Sequence, residues 1–170
     1  AVQDTPETGA RESEELYHAW HGKGRNRYAV TPRFAITSSA AQLKLSGELL
    51  ADLSGALLQT HISESAGEIA FVKELFPTSK DYTDVYDRFG LLGPRSIFAH
   101  GIHLSEREAK RFSESGSSVI HCPTSNTFLG SGLFDIDHVG ARARPVGVGI
   151  ATDVGGGTSF SPFVTMRAAY

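Results

Sequence analysis

Short apolar segments alternate with amphipathic helical segments along most of this chain, and this alternation is the feature that most constrains its fold. Apolar runs bounded by turn residues predict β-strands, whereas apolar residues spaced three or four apart predict helices. Strands are predicted at residues 28–37 (beginning after Pro32), 56–61, 96–100, 118–121 and 145–152. Helices are predicted at residues 12–20, 38–55, 63–76, just before Gly90, from Ser105 to Gly116, and from about Ser161, and residues 122–143 are predicted to form a loop followed by a short helix. This order indicates an α/β protein with a parallel sheet.

Two architectures share this order of elements: the doubly wound open sheet and the (β/α)8 barrel. A complete barrel takes about 250 residues, whereas this chain has 170 residues. If the chain is a barrel, about three strand–helix units are missing and the strand near Pro32 is the fourth of eight. The chain begins without Met and stops within a predicted helix, so we expect a piece of a longer protein.

Polar side chains that can take part in catalysis or metal binding stand at the ends of successive predicted strands. Arg33 lies in the first strand region, and His61, His100, His121 and Asp153 follow the next four strands in order. The carboxyl ends of parallel strands are where sites assemble in both architectures. We therefore expect these side chains to share one site.

Four of these side chains are of types that bind metals, namely the three histidine imidazoles and the Asp153 carboxylate. Glu64 follows His61 by three positions, so its carboxylate can shuttle protons beside a metal at His61. For each residue a purely structural role is an alternative. A lone histidine at a strand end is often only hydrogen-bonded, and Asp153 can simply shape the turn before the glycine run.

The motifs TPRFAIT, LLQTHISES, IFAHGIHLS, IHCPTSN and GVGIATDVGGGTSFS closely resemble, in content and order, those of guanine deaminases in the amidohydrolase superfamily. The resemblance covers residues 28–170. The pattern KELFPTSKDYTDVYDRFGLL and the PRF segment resemble guanine deaminases in particular. This resemblance implies a partial (β/α)8 TIM barrel of the metal-dependent hydrolase type, comprising about strands 4 to 8. Residues 1–170 would be the C-terminal portion of that barrel, with residues 1–27 as a helical and polar lead-in.

The same resemblance implies a role for each site residue. His61 and Asp153 would bind Zn²⁺, and Asp153 would also take a proton from the attacking water. Glu64 would protonate the purine and the leaving ammonia, and His100 would lie beside the water or oxyanion. Arg33 and Phe34 would contact the purine, together with His61, Glu64 and Asp153. The implied reaction is the hydrolysis of guanine to xanthine and ammonia.

One departure from the superfamily pattern concerns the metal. Members carry an H-x-H pair on their first strand, and this chain contains none. Zinc is held by at least three protein ligands, so we expect an incomplete site and no guanine turnover by these residues alone.

Composition limits the partners. The net charge is −3, so no basic surface for nucleic acid is indicated. No run of about 18 apolar residues predicts a membrane span. A single cysteine, Cys122, excludes an intrachain disulfide and fits a reducing, cytoplasmic location. By resemblance, the full-length protein is expected to form a homodimer.

Three alternatives stay open on the sequence. One is another amidohydrolase, acting on a different amino-purine or on a triazine, which would have less use for Arg33. Another is a non-catalytic α/β binding module, and the last is an interaction fragment with exposed sheet edges. The glycine run 155–157 lacks the spacing of a phosphate-binding loop, and we interpret it as a turn that lets Asp153 face the metal.

Overall fold

The computed structural model of the protein describes residues 3–170. Within this range five strands are formed: β1 (Ala29–Val30), β2 (Leu57–Ile62), β3 (Ser96–His100), β4 (Ser118–His121) and β5 (Gly147–Ile150). The helices are α1 (Pro6–Trp20), α2 (Ala40–Asp52), α3 (Ala66–Leu75), α4 (Tyr82–Arg88), α5 (Glu106–Ser115), α6 (Pro123–Phe128), α7 (Ile136–Gly140) and α8 (Pro162–Ala168). A short 3₁₀ turn covers Ala35–Thr37.

The five strands form one parallel sheet in the order β1-β2-β3-β4-β5. Each strand therefore pairs with the next one along the chain, as in the register Leu58↔Ser96 and Ser118↔Gly147. A doubly wound sheet reverses its strand order at a switch point, and these strands contain no such reversal. The sequential order identifies the chain as part of a (β/α)8 barrel wall, which confirms the expected fold class.

Burial along β2 shows which face of the wall carries the site. Leu58, Thr60 and Ile62 are buried, whereas the alternate residues, His61 among them, are only half-buried. Because side chains alternate across a strand, the buried set packs under the surrounding helices and His61 lies on the opposite face. That opposite face is the barrel interior.

A layer of aromatic side chains fills the space between the sheet and its helices. The Tyr86 ring lies 5.4 Å from the Phe98 ring, and Phe98 meets Phe112 edge-to-face at 4.9 Å. All three are fully buried, and such pairs add about 0.5–1.5 kcal/mol each beyond their area burial. This layer joins β3 to α4 and α5.

The predicted start of α5 agrees with the capping geometry. Ser105 and Glu108 form a reciprocal capping box at the start of α5, and Gly116 closes the helix with a left-handed φ of 77°. Ser65 and Glu68 form the same arrangement at α3. Short side chains that satisfy free amides at a helix start are readable from sequence, and Ser105, Glu108 and Gly116 predict α5 for that reason.

The prediction of a strand beginning after Pro32 is wrong. The strand of this region, β1, lies before the proline, and residues 33–37 form a bend and the 3₁₀ turn. In that bend the Ala35 amide donates to the Tyr86 hydroxyl and the Thr37 amide to the Phe34 carbonyl. A strand needs its amides for the ladder, and here they are bound elsewhere.

Two helices also differ from expectation. Helix α1 begins at Pro6 rather than near residue 12, because Thr5 caps it and proline suits the first turn. The segment after β4 was expected to open as a loop, but α6 begins at once with Pro123. No helix in residues 3–170 is long and apolar enough to cross a membrane.

Candidate active site

The His61 imidazole projects from the end of β2 in a defined tautomer. Its Nδ1 lies 2.7 Å from the carbonyl oxygen of Arg33. A carbonyl oxygen only accepts, so Nδ1 carries the proton and Nε2 keeps a free lone pair. Burial lowers the pKa of His61, an effect that the Asp153 and Glu64 charges partly oppose. The imidazole is thus neutral near pH 7, as a metal ligand must be.

The Glu64 carboxylate faces the His100 imidazole. Oε2 of Glu64 lies 3.6 Å from Nε2 of His100, and its other oxygen, Oε1, is 3.4 Å from the Ser131 hydroxyl. His100 is almost completely buried, and its ring stacks on that of His61 with centroids 5.4 Å apart. The structure therefore brings His61, Glu64 and His100 together at the carboxyl ends of β2 and β3.

The side-chain amide of Asn126 orients the His100 imidazole. Nδ1 of His100 lies 2.9 Å from Oδ1 of Asn126, and the Asn126 amide nitrogen is 3.5 Å from Nδ1 of His121. His121 in turn stacks on Phe134 at 4.9 Å, and burial lowers the pKa of His121. His121 thus contacts the support of His100 rather than His100 itself.

Among residues 3–170, three non-glycine residues adopt a left-handed backbone conformation, and all three lie at the end of a strand or within three residues after it. They are Ser63 (φ 49°), His100 (φ 71°) and Asp153 (φ 49°). Such residues cost about 1–3 kcal/mol each and cluster at functional sites. Their positions at the ends of β2, β3 and β5 mark the same edge as the histidines do.

The bend after β1 covers His61 with an aromatic ring. The Phe34 ring lies 4.1 Å from the His61 ring at an angle of 31°. The Arg33 guanidinium lies 5.1 Å from the Phe34 ring, a cation–π contact. Arg33 and Phe34 are thereby joined to the His61–Glu64–His100 cluster.

Asp153 follows β5 on a tight turn. Its carbonyl accepts from the amides of Gly156 (3.0 Å) and Gly157 (2.6 Å). A Cβ on Gly156 would lie 2.5 Å from the Asp153 carboxylate and 2.9 Å from the Ser125 hydroxyl. The bare glycine therefore leaves room for the carboxylate, in agreement with the interpretation of the 155–157 run as a turn.

The donor types in this cluster suit zinc, since an imidazole with a free Nε2 and a nearby carboxylate are ordinary zinc ligands. In the part of the chain that the structure describes, however, no group of three or more His, Cys, Asp or Glu side chains is placed to hold a metal ion. The described residues therefore place no complete set of zinc ligands together.

Two buried residues that support the cluster were given no role on sequence grounds. Asn126 stands in the IHCPTSN motif and Tyr86 in the YTDVYD segment. Their membership of the quoted motifs was the available signal, but a motif does not show which atom a side chain meets. His103 lies exposed in the loop after β3, with its Nε2 2.8 Å from the carbonyl oxygen of Ser131. Cys122 is buried, which raises the pKa of its thiol to about 12.

The chain forms a barrel wall of sequentially ordered parallel strands, with histidines and carboxylates at its carboxyl edge. This is the arrangement of the active-site face of (β/α)8 barrel enzymes. The chain belongs to the Amidohydrolase family, whose model matches residues 2–170.

The relatives in sequence indicate which members of this family the chain resembles. The chain is 45% identical to the guanine deaminase of Escherichia coli over 98% of its own length, and 39% identical to that of Mus musculus. It spans 38% of the length of the E. coli protein and 37% of the mouse protein.

Solved structures agree with these relatives. The E. coli guanine deaminase superposes with a TM-score of 0.95 over 99% of this chain and 39% of that one. A guanine deaminase from C. acetobutylicum with guanine bound in its active site has a TM-score of 0.91 at 30% identity, over 99% of this chain and 40% of that one. An adenosine deaminase from Xanthomonas campestris with bound zinc has a TM-score of 0.81 at 27% identity, over 94% of this chain and 35% of that one.

Proposed function

We propose that this chain forms part of a zinc-dependent guanine deaminase, which hydrolyses guanine to xanthine and ammonia. The observation that carries the proposal is the cluster of Arg33, Phe34, His61, Glu64 and His100 at one sheet edge. It occurs in a chain 45% identical to the E. coli guanine deaminase.

His61 and Asp153 are the residues that would hold zinc. The hydrogen bond from Nδ1 of His61 to the Arg33 carbonyl directs the Nε2 lone pair outward, as a ligand requires. When bound, zinc supplies Lewis acidity that makes water a nucleophile near neutral pH. The further ligands would come from residues outside this chain, in line with the missing H-x-H pair.

Glu64 is suited to moving protons. A carboxylate beside an imidazole can take a proton from water and give it to a ring nitrogen, and then to the departing amine. In the reaction a C–O bond forms, the C–N bond breaks, and the nitrogen leaves as ammonia. Asp153 would take the other proton of the water, and His100, held by Asn126, would lie beside the water or the developing oxyanion.

Arg33 and Phe34 would provide recognition of the purine. A guanidinium only donates hydrogen bonds, so Arg33 suits the carbonyl oxygen of guanine and is of less use to a ring without one. Phe34, already against His61, offers an apolar face to a planar base. This favours guanine over amino-purines without an oxygen and over triazines. We further propose that the full-length protein is a cytoplasmic homodimer that acts on free guanine.

The test is a segment exchange in which this chain replaces the matching part of the E. coli guanine deaminase. The hybrid is expected to bind zinc and to produce xanthine. In it, Glu64→Gln should reduce kcat by about 10²- to 10⁴-fold. The exposed Glu74 on α3 provides the control, and Glu74→Gln should leave kcat unchanged.

Residues 1–170 alone, with zinc added, are expected to show no turnover of guanine. Xanthine production by this chain alone would contradict the incomplete metal site. A folded, zinc-loaded hybrid that fails to deaminate guanine would contradict the proposed substrate.

A further inference from the structure

We infer that Tyr86 is a positioning residue. It holds the bend at residues 33–37, which carries Arg33 and Phe34, against the end of the strand that carries His61. The inference rests on the proposed function, because it concerns how the proposed metal ligand and the proposed substrate contacts are held relative to each other. Tyr86 lies on α4, outside the cluster itself, in the YTDVYD segment.

The Tyr86 hydroxyl joins two backbone segments. It accepts from the Ala35 amide at 3.0 Å and donates to the His61 carbonyl at 2.8 Å. The Tyr86 hydroxyl has a single proton, which it donates to the His61 carbonyl. The Thr60 hydroxyl, 3.2 Å from that of Tyr86, therefore does not receive this proton and can donate its own to another acceptor. Thr60 donates to the Arg33 carbonyl at 3.1 Å.

The Arg33 carbonyl is the point at which this arrangement controls His61. It receives the Thr60 hydroxyl, the His61 amide at 3.3 Å and the His61 Nδ1 at 2.7 Å. The position of this one oxygen determines which imidazole nitrogen keeps its proton. Tyr86 holds the backbone on both sides of the contact, at Ala35 and at His61, so it holds the oxygen in place.

The environment of Tyr86 makes the constraint rigid. The side chain is fully buried, and burial raises the pKa of its hydroxyl to about 12, so it stays protonated and able to donate. Its ring is stacked on Tyr82 and packed against Phe98, each 5.4 Å away. A shift of the bend would break a buried hydrogen bond, which links the placement of Arg33 and Phe34 to the tautomer of His61.

Tyr82 supplies a matched control. It lies one turn before Tyr86 on the same helix, is also buried, and presents its hydroxyl 3.4 Å from that of Tyr86. No hydrogen bond joins Tyr82 to the bend or to His61 among the described residues. Tyr82→Phe removes the same group from the same layer and one hydrogen bond to the Tyr86 hydroxyl. It removes none of the hydrogen bonds made by the Ala35 amide, the Arg33 carbonyl or the His61 carbonyl.

The experiment is nitrogen-15 NMR of the histidine side chains in this chain, without metal or guanine. In the wild type, His61 should show a protonated Nδ1 and an unprotonated Nε2. Tyr86→Phe should move both His61 resonances towards the tautomer average, whereas Tyr82→Phe should leave them unchanged. His103, whose Nε2 donates to the Ser131 carbonyl at 2.8 Å, is an internal reference that should not move.

An unchanged His61 tautomer in Tyr86→Phe would overturn the inference, as would an equal change in Tyr82→Phe. If Tyr86→Phe does not fold, hydrogen exchange of the wild type decides the question. The Ala35 amide should then exchange at least tenfold more slowly than the amide of Phe34, for which no acceptor is found among residues 3–170. Equal exchange rates at these two amides would refute the inference that Tyr86 holds the bend in place. None of these measurements uses turnover, so failure of the proposed reaction would not be mistaken for failure of this inference.

Discussion

The Nδ1 of His100 lies 2.9 Å from the Oδ1 of Asn126, and both side chains are almost completely excluded from solvent. The amide oxygen only accepts, so the proton of His100 is on Nδ1 and its Nε2 is directed at Glu64. His100 also has a left-handed backbone, with φ 71°. A strained residue at a strand end is thus held in one orientation by a side chain from the next βα unit.

Asn126→Leu keeps the number and branching of the side-chain heavy atoms but removes the acceptor for His100. The buried Nδ1–H of His100 is left unpaired, and we expect a loss of about 1–3 kcal/mol in the free energy of unfolding. Urea denaturation of the two proteins measures it. Asn26 is exposed, so Asn26→Leu should change stability by no more than about 0.5 kcal/mol. Equal stability of Asn126→Leu and wild type would argue against the His100 contact.

Gly47→Ala is expected to destabilise the protein, although alanine is the better helix former. A Cβ at Gly47, inside α2, would lie 1.9 Å from the backbone carbonyl oxygen of Phe89. The overlap should cost more than the gain of about 1 kcal/mol in helix propensity. Gly67, in α3, has no atom within 4 Å of such a Cβ, so Gly67→Ala should be neutral or stabilising. Thermal unfolding of both variants compares them, and a more stable Gly47→Ala would contradict the close approach.

Gly156→Ala should disturb the proposed metal site more than the fold. The new Cβ meets the end of the Asp153 side chain at 2.5 Å, and a side chain can move where a backbone cannot. In the hybrid enzyme we expect about tenfold weaker zinc binding, measured by competition with a chelator, because the carboxylate is displaced. Gly93 has open space around it, and Gly93→Ala should bind zinc like the wild type. Unaltered zinc affinity in Gly156→Ala would count against Asp153 as a ligand.

Acid should weaken the contact between α4 and α5 through Asp87. Two bonds from Arg111, at 2.7 and 2.8 Å, lower the pKa of the Asp87 carboxyl below 3.8. A depressed carboxyl pKa stabilises the folded state above the unfolded pKa, and this stabilisation is lost as the pH falls through the folded value. Both side chains are partly exposed, so the contribution should stay below about 1 kcal/mol.

The pH dependence can be isolated by difference. The gap in unfolding free energy between wild type and Asp87→Asn should be largest near neutral pH and should shrink as the pH falls below 3.8. Asp52 is exposed and has no ion pair in the described range, so Asp52→Asn should show no comparable gap. A gap for Asp87→Asn that is constant with pH would mean that the Arg111 pair does not depend on the charge of Asp87.

Much of the architecture could be predicted from local patterns. Strand–helix alternation indicated a parallel α/β sheet, and cap residues such as Ser105 and Gly116 predicted helix ends that the structure confirms. The candidate residues His61, Glu64 and His100 were chosen because they follow strands, and they do lie together. Local sequence was sufficient for these features, since capping and alternation act between residues close in the chain. The catalytic and metal-binding roles of these residues remain predictions.

Other features depended on contacts between residues far apart in sequence. The order β1-β2-β3-β4-β5 decided between barrel and doubly wound sheet, and alternation alone is the same in both. The sequence pattern of residues 33–37 predicts a strand. The Ala35 amide, however, donates to the Tyr86 hydroxyl, 51 positions away, and is not available for pairing with a neighbouring strand. The His61 tautomer likewise depends on a carbonyl 28 positions away. The sequence by itself determined which chemical groups stand at the strand ends, and only the tertiary structure decided which proton each of them carries, because that depends on the partner atom that folding brings within reach.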